Sequence, residues 1–307
     1  MSDYTIRNYI PSDFDSYVRL RQQVEALEPT GWPVTPQNIT ESMKHPHYTP
    51  EKDLFLIESG ENLIGYMKLE PEPGIKRTIL SCWIHPEHRR KGLVRKLLGY
   101  ASTRAVELHS KVLHIVAQED NEAAAGVLKK LGFTPVRKFL DIKLDMEKVI
   151  WQDIDQTKLD FRCLLPGEES KLAEIQNRAF AEHWGFNPNT VEDIVYDISR
   201  GNNSHKDVIV TCEGDDFSGY CWTEIPHSDD TTGKKKGMIH MIGTDPVYRS
   251  TGAGRRVLLA GLLSLKERGI EVTVLTVDSE NTVARALYES IGFEFESSYL
   301  WYEKTVK

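Results

Sequence analysis

The segment Tyr248-Arg-Ser-Thr-Gly-Ala-Gly-Arg-Arg256 sets Gly252 and Gly254 among arginines, between an apolar run and a leucine-rich one. Glycine lets a ligand approach the backbone, and arginine offers a fork of donors to an anion. If the leucine-rich run is a helix, its first turn adds unpaired N–H groups and a partial positive charge. The segment therefore reads as an anion site, with pyrophosphate the natural guest. It is not a P-loop, because no Gly-Lys-Ser/Thr follows, and Val257 stands where a dinucleotide fingerprint needs its third glycine. A nucleotide triphosphatase or a dehydrogenase is the weaker reading.

The elements that must hold this segment are written twice. A fainter copy, His88 to Lys96, lies 160 residues earlier. Each half of the 307-residue chain opens with a short strand carrying an arginine and a proline, Arg7 and Pro11, then Arg162 and Pro166. A helical pattern follows, with Leu172, Ile175 and Ala179 on one face in the second half. Two strands joined by a glycine turn come next, then a further strand, the glycine segment and an apolar helix. A strand, an asparagine (Asn121 or Asn281) and a helix ending in Gly-Phe complete the repeat; Gly132 and Gly292 read as helix caps. The expected domains are 1–148 and 159–307, with 149–158 as the linker.

Composition excludes several classes. A net charge of −8 leaves no basic face for nucleic acid, and no apolar run has the roughly 18 residues of a membrane span. Lys234 to Lys236 reads as a solvated loop between strands, with a ligand-phosphate contact as the alternative. The opening residues lack the pattern of a secretory signal, so cytoplasm is the expectation. Cys82, Cys163, Cys212 and Cys221 show no metal-ligand spacing, so no disulfide and no metal are expected.

Arg249-Ser250-Thr251-Gly252-Ala253-Gly254 resembles the R/Q-x-x-G-x-G/A motif of the GNAT acetyltransferase superfamily. Asn281, Ala284, Tyr288 and Gly292-Phe293 resemble that family's N-x-x-A-x-x-x-Y-x-x-x-G-F segment. The resemblance implies an α/β fold of two tandem GNAT-like domains, each a mixed, mostly antiparallel sheet flanked by helices. It implies acetyl-coenzyme A as co-substrate, its pyrophosphate on the amides of Arg249 to Arg255 and its pantetheine arm along Ile242, Gly243 and Thr244, where two strands splay apart. Asn281 and Tyr288 join the expected cofactor site.

Residue by residue, the copies differ. Tyr288 stands at the position of the family tyrosine that protonates the departing thiolate, where the first copy has Leu128. Gly254 is matched by Val94, and His240 by Leu80. The first domain is expected to be non-catalytic, with residual cofactor binding left open because Arg89, Gly92 and Asn121 remain.

No Cys-His or Ser-His spacing supports a covalent relay, so direct attack of an amine on the thioester is expected. Backbone N–H groups near Ile242 would polarise the carbonyl. Many relatives carry a glutamate where this chain has Met238. His240, two residues on, resembles the histidine of the arylalkylamine acetyltransferases, and an imidazole suits proton removal near neutral pH. A satisfied core histidine is the alternative. Glu224 is the second candidate base, and Trp184 and Phe186 are candidate walls of the acceptor site.

The tandem arrangement resembles the mycothiol synthase branch of the family, but Met238 argues against assigning that substrate. The expected function is acetyl transfer to a small-molecule primary amine by a monomer or homodimer. Acetylation of a peptide N-terminus and a non-catalytic acyl-coenzyme A sensor remain alternatives.

Overall fold

Arg7 and Arg162, 155 residues apart, each grip a carboxylate six residues on with both terminal nitrogens. Arg7 holds Asp13 at 2.6 and 2.7 Å, and Arg162 holds Glu168 at 2.7 and 2.8 Å. Each carboxylate also accepts a backbone N–H, of Ile10 or Leu165, and so fixes the turn from first strand to first helix. The repeat in sequence is thus a repeat in hydrogen bonds.

The computed structural model describes residues 4–29, 34–149, 151, 159–201, 203–225 and 233–307. Of the expected linker 149–158, all but Val149 and Trp151 lie outside the described residues. The first repeat runs β1 (Tyr4–Asn8), α1 (Phe14–Leu27), α2 (Pro36–Ser42), α3 (Pro50–Asp53), β2 (Leu54–Ser59), β3 (Asn62–Glu72), β4 (Arg77–Ile84), α4 (Leu93–Glu107), β5 (Val112–Gln118), α5 (Glu122–Lys130) and β6 (Thr134–Asp145). The second runs β7 (Phe161–Cys163), α6 (Glu169–Phe180), α7 (Val191–Ser199), β8 (Val208–Glu213), β9 (Asp216–Glu224), β10 (Lys236–Thr244), α8 (Ala253–Glu267), β11 (Val272–Asp278), α9 (Thr282–Ile291) and β12 (Glu294–Thr305).

The chain forms two compact units, Met1–Arg137 with Tyr299–Lys307, and Lys138–Ser298. The sheet of the first has the order β1-β2-β3-β4-β5-β12, and that of the second β6-β11-β10-β9-β8-β7. Each unit's sheet therefore ends on a strand from the other repeat: Tyr299–Thr305 lies antiparallel to β5, and Phe139–Asp145 antiparallel to β11. The sequence reading placed no strand after either Gly-Phe. Within each sheet the pairs described are antiparallel except one, β4 with β5 and β10 with β11.

In the second unit α8 packs against one sheet face. Leu258, Leu262 and Leu265 are fully buried there, each contributing about 2 kcal/mol of apolar burial. The opposite face packs Leu172, Ile175 and Ile194 of α6 and α7 on Tyr220 and Trp222. A further pair of contacts repeats: buried Asp53 binds Arg104 at 2.7 Å, and buried Asp207 binds Arg268 at 2.6 Å. Gly292 caps α9 at φ 109°, and Gly132 follows α5 at φ 84°, both in the left-handed region that glycine enters freely.

Candidate functional site

The single parallel pair in each unit is where its sheet opens. β10 pairs with β11 only from Lys236–Val272 to Ile239–Leu275, although β10 continues to Thr244 and β11 to Asp278. β4 and β5 part in the same way after Leu80 and Ile115. The splay expected beside Ile242, Gly243 and Thr244 is present.

Past the strand end, the glycine segment adopts a tight left-handed turn. Ser250 has φ 63° and Gly252 φ 88°, and α8 starts at Ala253. The N–H groups of Ala253, Gly254 and Arg255 find no acceptor among the described residues, while that of Arg256 bonds the Gly252 carbonyl at 3.0 Å. These free amides, at the positive end of a 15-residue helix, form the cradle that an anion needs. The first unit repeats this backbone, with Arg90 at φ 63°, Gly92 at φ 75° and α4 starting at Leu93.

The side chains around the cradle are partly committed. Arg249 Nη2 donates to the Ala179 carbonyl at 2.8 Å, which ties the last turn of α6 to this loop. Thr251 bonds the Tyr248 carbonyl at 2.7 Å, and Arg255 bonds Ser290 at 3.0 Å. A Cβ on Gly254 would stand 3.3 Å from the Thr244 hydroxyl, so glycine there also lets α8 approach β10. Asn281 caps α9 by accepting the Ala284 N–H at 3.1 Å, and its amide nitrogen has no partner among the described residues; Asn121 caps α5 in the same way at 3.0 Å. Lys234 pairs with Asp145 at 3.0 Å, away from the cradle segment in sequence and contact.

Tyr288 lies on α9, 6% exposed, against Phe293 at 5.7 Å between ring centroids. Its hydroxyl makes no hydrogen bond among the described residues, and burial pushes its pKa well up. A phenol held protonated is what a proton donor requires.

The register of β10 against β9 breaks between Ile239 and Met241, so His240 is the extra residue of a β-bulge. A bulge turns a strand's N–H groups away from their neighbour. The counterpart β3–β4 register runs unbroken from Gly65–Ile84 to Glu72–Arg77. His240 is exposed to solvent on β10. Burial lowers its pKa, Asp197 opposes that shift and Arg200 adds to it. Trp222 packs edge-on against its ring at 5.7 Å. It is not a core histidine.

Glu224 stands directly across the strands from Met238, the position where a carboxylate was expected. Residues so paired share a face. The half-buried Glu224 has its pKa raised by burial, with Arg200 pulling it back. The sequence reading missed Asp197 and Arg200 at the end of α7, an ion pair at 3.7 Å. Burial raises the Asp197 pKa too. Neither carries a motif, and only the packing of α7 brings them to this face. Phe186 packs on Phe180 at 5.4 Å, and Trp184 on Phe139 at 6.2 Å.

The cluster His85, Glu87 and His88 in the first unit has donor atoms within 4.8 Å of one another, the one such group among the described residues. No helix among those residues is long and apolar enough to cross a membrane.

The acetyltransferase (GNAT) family matches the chain over residues 18–133 and again over 170–293. Mycothiol acetyltransferase of Amycolatopsis mediterranei (strain U-32) is 29% identical over 236 residues, 75% of this chain and 77% of that one. The enzyme of the same name from Thermobispora bispora is 29% identical over 240 residues, 78% and 79% of the two chains. A GCN5-related N-acetyltransferase from Sphaerobacter thermophilus superposes with a TM-score of 0.72 at 18% identity, covering 99% of this chain and 96% of that one. A tandem GNAT protein from the clavulanic acid biosynthesis pathway gives 0.71 at 14% identity over 99% of each chain. With the family matched in both repeats and the same architecture in solved tandem structures, the chain belongs to the acetyltransferase (GNAT) family and is an N-acetyltransferase that carries its domain twice.

Proposed function

We propose that this enzyme moves an acetyl group from acetyl-coenzyme A directly to a primary amine of a small molecule, and that the second unit does the chemistry. The observation that carries this reading is the run of unpaired amides at Ala253 to Arg255, at the mouth of the β10–β11 opening. The pyrophosphate of acetyl-coenzyme A fits those amides, with Arg255 and the uncommitted nitrogens of Arg249 beside them. The pantetheine arm runs along Ile242, Gly243 and Thr244.

The amine nitrogen attacks the thioester carbon, and the charge that develops on oxygen meets backbone N–H groups of β10 near Ile242, beyond the last residue paired with β11. His240 takes the proton from the amine; its lowered pKa keeps it neutral and able to do so near pH 7. The carbon–sulfur bond breaks, and Tyr288 gives its proton to the thiolate. One specific observation favours a second assignment of the base: Glu224 faces Met238 from the neighbouring strand and has a raised pKa.

The first unit keeps the cradle backbone but lacks the tyrosine, the bulge and the histidine, and it is non-catalytic in this reading. The mycothiol acetyltransferase relatives favour a small-molecule acceptor. The test is a calorimetric titration with acetyl-coenzyme A, then a thiol-release assay with amino sugars, aminothiols and arylalkylamines. Binding with thiol release on at least one amine is expected. No binding overturns the reading, and binding without release on any amine or peptide favours a sensor.

A further inference from the structure

Tyr220 is fully buried, and its hydroxyl has no hydrogen-bond partner among the described residues. It stands on β9 directly opposite Gly243 of β10. A Cβ built on Gly243 would lie 2.6 Å from Cε1 and 3.1 Å from Cζ of the ring, and 3.0 Å from Cβ of Ala179. The outer end of the phenol therefore lies on bare backbone, at the strand residue next to Ile242 and Thr244, under the turn that Arg249 ties down. A dry, unpartnered hydroxyl is costly, and phenylalanine would fill the same space without that cost.

The other repeat is built differently at this place. Its tyrosine, Tyr66, faces Trp83 across the strands rather than glycine, and the Arg21 guanidinium lies 5.4 Å from its ring centroid. The bare backbone and the orphaned hydroxyl occur together in the unit that also has Tyr288 and the bulge.

We propose that the Tyr220 hydroxyl donates a hydrogen bond to a carbonyl of the acyl-pantetheine chain, with Gly243 keeping the space between them clear. This rests on the acetyl-coenzyme A reading above. The ligand supplies the acceptor that the protein lacks, so the hydroxyl is a cofactor-binding group rather than a part of the core.

The test compares wild type with Tyr220→Phe by calorimetric titration with acetyl-coenzyme A and with coenzyme A, and by the thermal midpoint of each ligand-free protein. The expected result is affinity for acetyl-coenzyme A weaker by about tenfold in the variant, with a ligand-free midpoint equal to or above that of wild type. Equal losses for both ligands place the bond on the arm, and a loss confined to acetyl-coenzyme A places it on the thioester carbonyl. Unchanged affinity, or a ligand-free variant that melts earlier, overturns the inference while the transferase reading stands. A wild-type protein that does not bind acetyl-coenzyme A overturns both.

Discussion

Gly243 and Tyr220 face each other across β10 and β9 with no room for a single methyl group between them, since a Cβ at 243 would reach within 2.6 Å of the ring. Neither partner yields easily. The ring is fully buried, and the glycine is in a sheet. Gly243→Ala is therefore expected to lower the stability of the second unit by about 1–3 kcal/mol, because an added carbon in a packed site forces ring and strand apart. Urea unfolding followed by tryptophan fluorescence measures it, and a midpoint equal to wild type would show that the strand relaxes freely.

Tyr288→Phe removes only the hydroxyl from a buried ring. It is expected to lower kcat by about 10²-fold while acetyl-coenzyme A binds as before, since general acid help is lost and packing is kept. Thiol release under saturating acetyl-coenzyme A gives kcat, and calorimetry gives the affinity. A kcat within twofold of wild type would remove Tyr288 from the chemistry.

The pH profile separates the two candidate bases. A base works only when unprotonated, so kcat/KM falls as pH drops through its pKa. With His240 as base, its lowered pKa keeps the acid limb below about pH 6.5, the ordinary imidazole value. Among the described groups, Asp197 of α7 raises the His240 pKa and Arg200 lowers it, and Glu224 faces the same cluster from β9. Asp197→Asn should then move the limb to lower pH, and Arg200→Gln to higher pH. A limb that survives His240→Ala, stays put in Asp197→Asn and rises in Arg200→Gln transfers the role to Glu224, whose pKa Arg200 also holds down.

Asp207 accepts from the backbone and hydroxyl of Ser204 at 2.7 and 2.8 Å and from Arg268 at 2.6 Å, while almost fully buried. Asp207→Ala leaves three donors short of an acceptor and is expected to cost about 2–4 kcal/mol. Thermal unfolding reads it, and a change below about 0.5 kcal/mol, the size of a surface effect, would refute it.

Local features of this fold were legible in the sequence because they are set by local chemistry. Gly252 and Gly92 are left-handed for the same reason that they are glycine, and Asn281 and Asn121 cap helices as their side chains dictate. Spacing between the copies carried the repeat. What stayed hidden depends on partners distant in the chain. Tyr220 in a β-rich run reads as an ordinary core aromatic, and nothing near it in sequence shows that its hydroxyl lacks an acceptor. Asp197 and Arg200 read as the polar end of a helix until α7 is set against the sheet. The bulge at His240 is a property of two strands in register, which one strand's sequence does not display.

The placement of β6 and β12 has a practical consequence for anyone who would cut this gene in two. A fragment that begins near residue 159 keeps the second repeat whole in sequence but omits Phe139–Asp145, so β11 loses its antiparallel neighbour and presents a bare hydrogen-bonding edge. A fragment that stops near residue 148 likewise strips β5 of Tyr299–Thr305. Expressed alone, such halves should be sticky and poorly soluble, whereas a piece cut at 138 and 298 keeps the whole second sheet. The unit of inheritance and the unit of folding differ here by one strand, and truncation has to follow the second.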